Sequence, residues 1–188
     1  MIFTNKDNVF HLSTKKTSYV FRALPTGQLE SMYYGRKIRN SDNLEYLYDK
    51  HAAGYSNSTP YTQKDTTLSL DHIALEYSAY GKGDYRLPAM ELMAADGNFT
   101  TDFTFKSAAV TKVKPQLKGL PSSYGESETL TVVLEDSKLG AELHLFYTVF
   151  EESNVITRST RLYNKSKREI KINSLMSMQL DLQRGKYV

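Results

Sequence analysis

Residues 139–150 read LGAELHLFYTVF, and every odd position in this stretch carries an apolar side chain. The even positions hold a mixed set, from Glu142 and Thr148 to Phe146 and Phe150. Successive side chains of a β-strand point to opposite faces, so a period of two predicts a strand with one buried face. The segment therefore predicts a long antiparallel strand that packs on a hydrophobic core.

The same period continues on both sides of this strand. Residues 129–134 (TLTVVL) and 155–163 (VITRSTRLY) are rich in β-branched residues, which favour strands. Residues 170–182 carry apolar side chains at most even positions, which predicts one more strand with a buried face. Asx and Ser residues typical of tight turns separate the strands, at 135–138 and 164–167. These features predict a meander of four strands that ends near Leu182.

Shorter strands are predicted in the rest of the chain. Three lie at 9–13, 18–24 and 29–34, with a hairpin turn at 25–28 (PTGQ), and residues 99–113 hold one or two more. No window of about a dozen residues carries the apolar stripe of an amphipathic helix. The predicted fold is all-β, a large antiparallel β-sandwich.

A long irregular loop region is predicted around residues 40–88. It is rich in Tyr, Ser, Thr, Asn, Asp and Gly and has poor periodicity. Long loops inside compact domains are usually functional or disordered, and the many tyrosines argue against disorder. Aromatic, hydroxyl and carboxylate groups on loops are also what a sugar-binding site uses.

Length and composition exclude several classes of protein. The chain has 188 residues, a formal net charge of +3, 40% hydrophobic residues and no Cys. Thiol catalysis and thiolate metal sites are therefore excluded, and a (β/α)₈ barrel, which needs about 250 residues, does not fit. No apolar run approaches the roughly 20 residues of a membrane span, and charges of both signs are interspersed, so neither a membrane nor a nucleic acid is an expected partner. The absence of Cys and of an apolar signal core predicts a cytoplasmic protein.

Residue patterns for catalysis or metal binding are weak. The four histidines are far apart and none has another His within four positions, which favours structural roles and predicts no metal site. Asp49, Asp71, Glu76 and Asp84 lie in the irregular region, where most carboxylates are solvated or cap turns. A glycosidase needs two carboxylates about 5–10 Å apart, and sequence spacing does not select such a pair here.

Three longer phrases and the opening of the chain carry a family resemblance. The phrases are 72–89 (HIALEYSAYGKGDYRLPA), 119–130 (GLPSSYGESETL) and 147–159 (YTVFEESNVITRS). Together with the opening, including Tyr33-Tyr34-Gly35-Arg36, they resemble in order and spacing the N-terminal domain of α-galactosidases of glycoside hydrolase family 36. The resemblance covers nearly the whole chain.

This resemblance implies a function for the parent enzyme. Family members combine an N-terminal β-supersandwich, a (β/α)₈ barrel and a C-terminal β-domain. They release terminal α-linked galactose from melibiose, raffinose and stachyose with retention and need no cofactor. Both catalytic aspartates lie on the barrel, so residues 1–188 are expected to be a non-catalytic N-terminal domain without the barrel and the C-terminal domain, and to be inactive alone.

The resemblance also implies one substrate contact. Family members place the Asp of an Asp-Arg/His-Ala-Phe loop against the galactose hydroxyls. Residues 48–54 (YDKHAAG) occupy that place, and Asp49 is the matching acid. The domain is expected to line part of the galactose pocket, to brace the barrel of the same polypeptide and to take part in a homo-oligomer.

Two other interpretations stay open from the sequence. One is a free-standing galactoside-binding module of lectin type, which would bind α-galactosides without a barrel. The other is a purely structural or oligomerisation domain, which would have no contact with a ligand.

Overall fold

The computed structural model of the chain describes residues 1–47, 58–120 and 123–180. These residues form ten β-strands and two short 3₁₀ helices, and they contain no α-helix and no helix able to cross a membrane. The strands are β1 (Ile2–Thr4), β2 (Val9–Ser13), β3 (Thr17–Ala23), β4 (Leu29–Arg36), β5 (Met90–Ala94), β6 (Thr104–Thr111), β7 (Glu128–Asp136), β8 (Ala141–Phe150), β9 (Val155–Asn164) and β10 (Ile170–Leu175). The 3₁₀ helices are Glu45–Leu47 and Leu70–His72. The all-β prediction is confirmed.

Two four-stranded antiparallel sheets face each other. Sheet 1 has the order β1-β2-β3-β4, and sheet 2 has the order β6-β7-β8-β9. Alternate residues of both sheets point inward and form one core, in which the rings of Phe21 and Tyr147 stack with centroids 4.8 Å apart. The core also contains Met90 and Leu92 of β5, so the strand that follows the irregular region helps to close the sandwich.

The predicted meander is correct over three strands. In sheet 2, β7, β8 and β9 pair in sequence along their whole length, and their bounds agree with the sequence prediction to within two residues. The inner side chains Leu143, Leu145 and Tyr147 are fully buried. The apolar residues that alternate along 139–150 therefore form the buried face of β8.

The fourth strand of the predicted meander is wrong. β10 leaves sheet 2 and pairs with β5 in a separate two-stranded sheet. The Lys165 amide donates to the Gly140 carbonyl at 2.8 Å, so the turn before β10 lies against the turn between β7 and β8. Gly140 has a φ of +70°, and a Cβ there would lie 3.0 Å from Cβ of Ser166, so the close approach of the two turns favours glycine.

The predicted buried face of residues 170–182 is also wrong over the residues that the structure describes. Ile170 and Leu180 pack partly against the core, but Ile172, Met176 and Met178 are 51%, 43% and 52% exposed. The strand ends at Leu175, after an irregularity between Ile172 and Ser174. The apolar side chains at these even positions therefore face solvent in this chain.

The irregular region is confirmed for its described parts, 40–47 and 58–88. They contain the two 3₁₀ helices and isolated bridges such as Glu30–Leu75, but no strand. They are nevertheless well packed, because Leu70, Ile73 and Leu75 form a small buried cluster. The sequence did not predict β1, or β5, which follows the irregular region directly.

Strand β6 forms the outer edge of sheet 2. It pairs with β7 on one side, and its residues 106–111 are exposed. Near its start, the Phe105 amide donates to the Gly27 carbonyl at 2.7 Å, which joins this edge to the β3–β4 turn of sheet 1.

Candidate functional site

Asp49, the one substrate-binding residue that the sequence predicts, lies outside the described residues. The structure does describe both flanks of its segment. On the first flank, Leu44 is buried against Val20 and Met32 on the face of sheet 1 opposite the core. Leu47 packs partly against the same cluster, so the chain is held on the sheet up to the 3₁₀ helix at 45–47.

The second flank is held by side-chain hydrogen bonds. The Ser69 hydroxyl donates to the Thr59 carbonyl at 2.8 Å, and the Tyr61 hydroxyl donates to Asp102 at 3.0 Å. Burial, together with the Asp102 carboxylate, raises the pKa of Tyr61 to about 12, so this hydroxyl keeps its proton at neutral pH. The segment that contains Asp49 therefore begins and ends at fixed points of the sandwich.

The described histidines occupy separate places with different partners. His11 is buried and its Nε2 lies 2.8 Å from the Ser18 hydroxyl, and burial lowers its pKa. His72 lies beside Asp71 at 3.8 Å, and His144 lies beside Glu142 at 3.4 Å. Within the ranges 1–47, 58–120 and 123–180, no three His, Asp or Glu side chains form a group that could hold a metal ion.

The three described carboxylates that the sequence singled out in the irregular region have different environments. Asp84 is 2% exposed and accepts hydrogen bonds from the backbone amide, Nε and Nη2 of Arg86, so it caps a turn from a buried position. Asp71 accepts a hydrogen bond from Ser69. Glu76 is 1% exposed and caps no turn, so the prediction was wrong for this residue. Each of the three carboxylates bonds to different residues.

Glu76 lies at the centre of a buried polar group that we call the ion cluster: Tyr19, Glu76, Tyr147 and Arg158. The Tyr19 hydroxyl donates to the Glu76 carboxylate, with both oxygens 2.6 Å away. The Tyr147 hydroxyl donates to Oε1 at 2.9 Å, and Arg158 Nη2 lies 3.0 Å from the same oxygen. These residues come from β3, the irregular region, β8 and β9, so the ion cluster joins both sheets to the loop.

Burial and charge set the protonation of the ion cluster. Burial and the Glu76 charge raise the pKa of both Tyr19 and Tyr147 well above the usual range, so both remain donors. Burial alone would lower the pKa of Arg158. The neighbouring Tyr147 and Glu76 have the larger combined effect and raise this pKa above its ordinary value. The guanidinium also lies over the Tyr147 ring, 4.7 Å from its centroid. With Glu76 enclosed, the ion cluster is suited to fixing chain positions, and it has no access for a substrate.

Sequence reasoning missed the ion cluster although one signal was present. Arg158 stands among the inward-facing residues of β9, between Ile156 and Leu162, where a charged side chain requires a buried partner. Glu76 likewise stands between the buried residues Leu75 and Tyr77. Two opposite charges at apolar positions of separate segments could have suggested a pair.

An open cleft of about 230 Å³ lies beside Asp102 and Asp136. Lys82 pairs with Asp102 at 3.2 Å. The Asp136 carboxylate accepts hydrogen bonds from the backbone amides of Asp102, Lys138 and Leu139. Both carboxylates are thus engaged by groups of the chain itself.

Comparison with known proteins identifies the family. Residues 27–188 match the glycosyl hydrolase family 36 N-terminal domain. Over 182 residues the chain is 37% identical to alpha-galactosidase AgaA of Geobacillus stearothermophilus, and this match covers 95% of the chain and 25% of AgaA. It is 33% identical to alpha-galactosidase Mel36A of Lactobacillus acidophilus, again over 95% of the chain and 25% of the relative.

Solved structures agree in fold. The alpha-galactosidase from Lactobacillus brevis superposes with a TM-score of 0.88 at 30% identity, over 96% of this chain and 25% of that one. A variant of AgaA in complex with raffinose gives a TM-score of 0.81 at 37% identity, over 90% of this chain and 24% of that one. The chain thus spans about a quarter of the length of these relatives. It belongs to the family of glycosyl hydrolase family 36 N-terminal domains.

Proposed function

We propose that residues 1–188 are the N-terminal domain of an α-galactosidase, which continues into a (β/α)₈ barrel and a C-terminal β-domain. The observation that carries this proposal is the match of 95% of the chain to 25% of AgaA, which is an alpha-galactosidase.

The substrates of the parent enzyme are α-galactosides with a terminal galactose, and the reaction is hydrolysis with retention. Solved complexes of AgaA variants with raffinose and with stachyose support this substrate class. A retaining glycosidase uses a nucleophile and an acid/base whose carboxyl groups lie about 5–5.5 Å apart. Both are assigned to the barrel of the same polypeptide, and no cofactor takes part.

Reading the gene past the codon for Val188 and assaying the product test this proposal. We expect an open frame of several hundred further codons and a product that hydrolyses raffinose. The 188-residue chain alone should neither hydrolyse raffinose nor bind it measurably. A stop codon after Val188, combined with galactoside binding by the chain alone, would instead support the lectin-type module.

Asp49 is the proposed substrate contact of this domain. An ionised carboxylate that accepts hydrogen bonds from two sugar hydroxyls is a strong and directional contact. The family resemblance of residues 48–54 supports the choice of this residue.

Asp49→Ala in the full-length enzyme should raise KM or lower kcat/KM for raffinose at least tenfold, which corresponds to about 1.4 kcal/mol. Asp42→Ala, which changes an exposed acid on the first flank, is the matched control and should leave both constants unchanged. Equal kinetics of the Asp49 variant and the control would remove Asp49 from the pocket and favour a purely structural domain.

Contact with the barrel is the second proposed role. The exposed apolar side chains Ile172, Met176 and Met178 support it, because such groups in a short segment are typical of a surface that another domain covers. Assembly into a homo-oligomer and a cytoplasmic location stay predictions from the sequence.

A further inference from the structure

The segment 176–180 is held firmly although it forms no strand. The Met176 amide donates to the Ala89 carbonyl at 2.9 Å. The Met176 carbonyl accepts hydrogen bonds from the Tyr77 hydroxyl at 2.5 Å and from the Thr160 hydroxyl at 2.9 Å. Three separate parts of the fold therefore fix one residue of an irregular segment.

Gln179 is fixed in the same way, and here the ion cluster takes part. Arg158 Nη1 donates to the Gln179 carbonyl at 3.0 Å while Nη2 of the same guanidinium pairs with Glu76. The Gln179 side chain accepts a hydrogen bond from the Ser78 amide at 2.9 Å. One buried arginine thus connects the interior of the sandwich to the backbone of this segment.

The side chains of this held segment differ in exposure. Leu175 and Leu180 pack partly against the main core. Met176 and Met178, which lie between them, remain about half exposed. Thioether side chains on a held backbone form an adaptable apolar surface.

We infer that the ion cluster is a positioning device: it holds residues 176–180 so that Met176 and Met178 contact the barrel of the same polypeptide. This inference rests on the proposed function, because the barrel is the partner. The length of the relatives supports that choice, since about three quarters of AgaA lies outside the matched region. Arg158 and Glu76 act through the segment and do not touch substrate.

The geometry explains why arginine is required at position 158. Its planar guanidinium presents several N–H donors in fixed directions, and the two terminal nitrogens here serve different partners. A lysine ammonium is a point charge on a flexible stem and does not reproduce this arrangement. In Arg158→Lys, residues 176–180 are therefore expected to be held less firmly than with arginine.

The decisive variant is the double substitution E76L/R158M in the full-length protein. Replacing both charges avoids leaving one unpaired charge in the interior, which is the costly outcome of a single substitution. The matched control is R22M/E30L, which removes the partly buried ion pair of sheet 1, where Arg22 Nε lies 2.7 Å from Glu30.

Peptide-resolved hydrogen exchange over residues 176–180 is the direct measurement. Exchange there should become at least tenfold faster in E76L/R158M and stay unchanged in R22M/E30L. If residues 176–180 exchange at the same rate in E76L/R158M and in the unsubstituted protein, the ion cluster does not position this segment. Should the double variant fail to fold, Gln179→Leu, which removes only the bond from Ser78, should still speed exchange about threefold, and no change would count against the inference.

The barrel contact needs its own readout. Met178→Asp should lower the melting temperature of the full-length enzyme but not that of the 188-residue chain. The contact would be overturned if Met178→Asp left the melting temperature unchanged in both the full-length enzyme and the 188-residue chain. If the full-length enzyme still hydrolysed raffinose, the α-galactosidase assignment would remain intact. Loss of that assignment would appear separately, as a gene that ends at Val188 or a product without activity.

Discussion

Strands β7 to β9 and the irregular chain from 58 to 88 bury their residues by different means. In the strands, backbone groups pair along ladders and the inward side chains are mostly apolar. The irregular chain has isolated bridges, yet it contains the buried polar residues Glu76, Ser78 and Asp84. A buried backbone without a ladder must find other hydrogen-bond partners, so polar side chains replace the sheet as the source of order.

The largest expected effect breaks the link between these two regions. Arg158→Met removes the cation and leaves the Glu76 carboxylate buried without its ion pair. The free energy of unfolding should fall by about 3–5 kcal/mol in urea denaturation. Lys15→Met, which removes the exposed pair with Glu152, should change it by less than about 1 kcal/mol. Equal effects of the two substitutions would contradict a structural role of the ion cluster.

The next effect concerns the strands alone. Leu143 of β8 is fully buried, and Leu143→Ala should lower the free energy of unfolding by about 3 kcal/mol through lost transfer energy and a cavity. The denaturant slope should stay unchanged, since the fold is kept. A loss below about 1 kcal/mol would mean that the inner face of sheet 2 collapses around the missing atoms.

A smaller effect is expected in the irregular chain. Asp84→Asn keeps an acceptor for the Arg86 amide but weakens the two hydrogen bonds from its guanidinium. Because Arg86 is partly exposed, the expected loss is about 1–2 kcal/mol in thermal or urea unfolding. An unchanged midpoint would show that the buried position of Asp84 depends on packing rather than on charge.

The smallest effect lies on the outer face of β8 and depends on pH. Hydrogen bonds from Lys106 and His144 lower the pKa of Glu142 to about 2, from an ordinary value of 4.5. The stabilisation is therefore fully present above about pH 4.5 and is lost as the pH falls towards 2. Glu142→Gln should be slightly less stable than the parent at pH 7, and the difference should vanish near pH 2.

Thermal melts across this pH range measure the difference. Glu126→Gln, at an exposed position, serves as the control and should follow the parent at each pH. A constant difference between Glu142→Gln and the parent from pH 7 to pH 2 would contradict the lowered pKa of Glu142.

Most of the strands were predictable because they carry a signal in their own sequence. The alternation in β7, β8 and β9 reflects burial against one core, and Pro25 to Gln28 carries the turn chemistry of the hairpin between β3 and β4. β5 has five residues and pairs with β10, so the evidence for it lies in a distant part of the chain. Contacts of this kind leave no local pattern.

The site was less predictable, for physical reasons that differ between residues. The alternation of Ile172, Met176 and Met178 suggested burial, but all three side chains are exposed in this chain. Glu76 resembled a solvated loop acid because its partners Tyr19, Tyr147 and Arg158 are distant in sequence. Asp49 followed from family resemblance alone and stays a prediction.

The exposed edge formed by β6 has a consequence for handling the protein. Its residues 106–111 present unpaired backbone groups beside small and β-branched side chains, and Lys106 is the one charged residue in that range. Its ammonium is drawn back onto its own sheet by Glu135 and Glu142. A strand of this kind is a template for adding further strands, so concentrated solutions of the isolated domain should be prone to edge-to-edge aggregation. The substitution Ala109→Lys, which places a charge on this edge, should slow aggregation of the isolated domain.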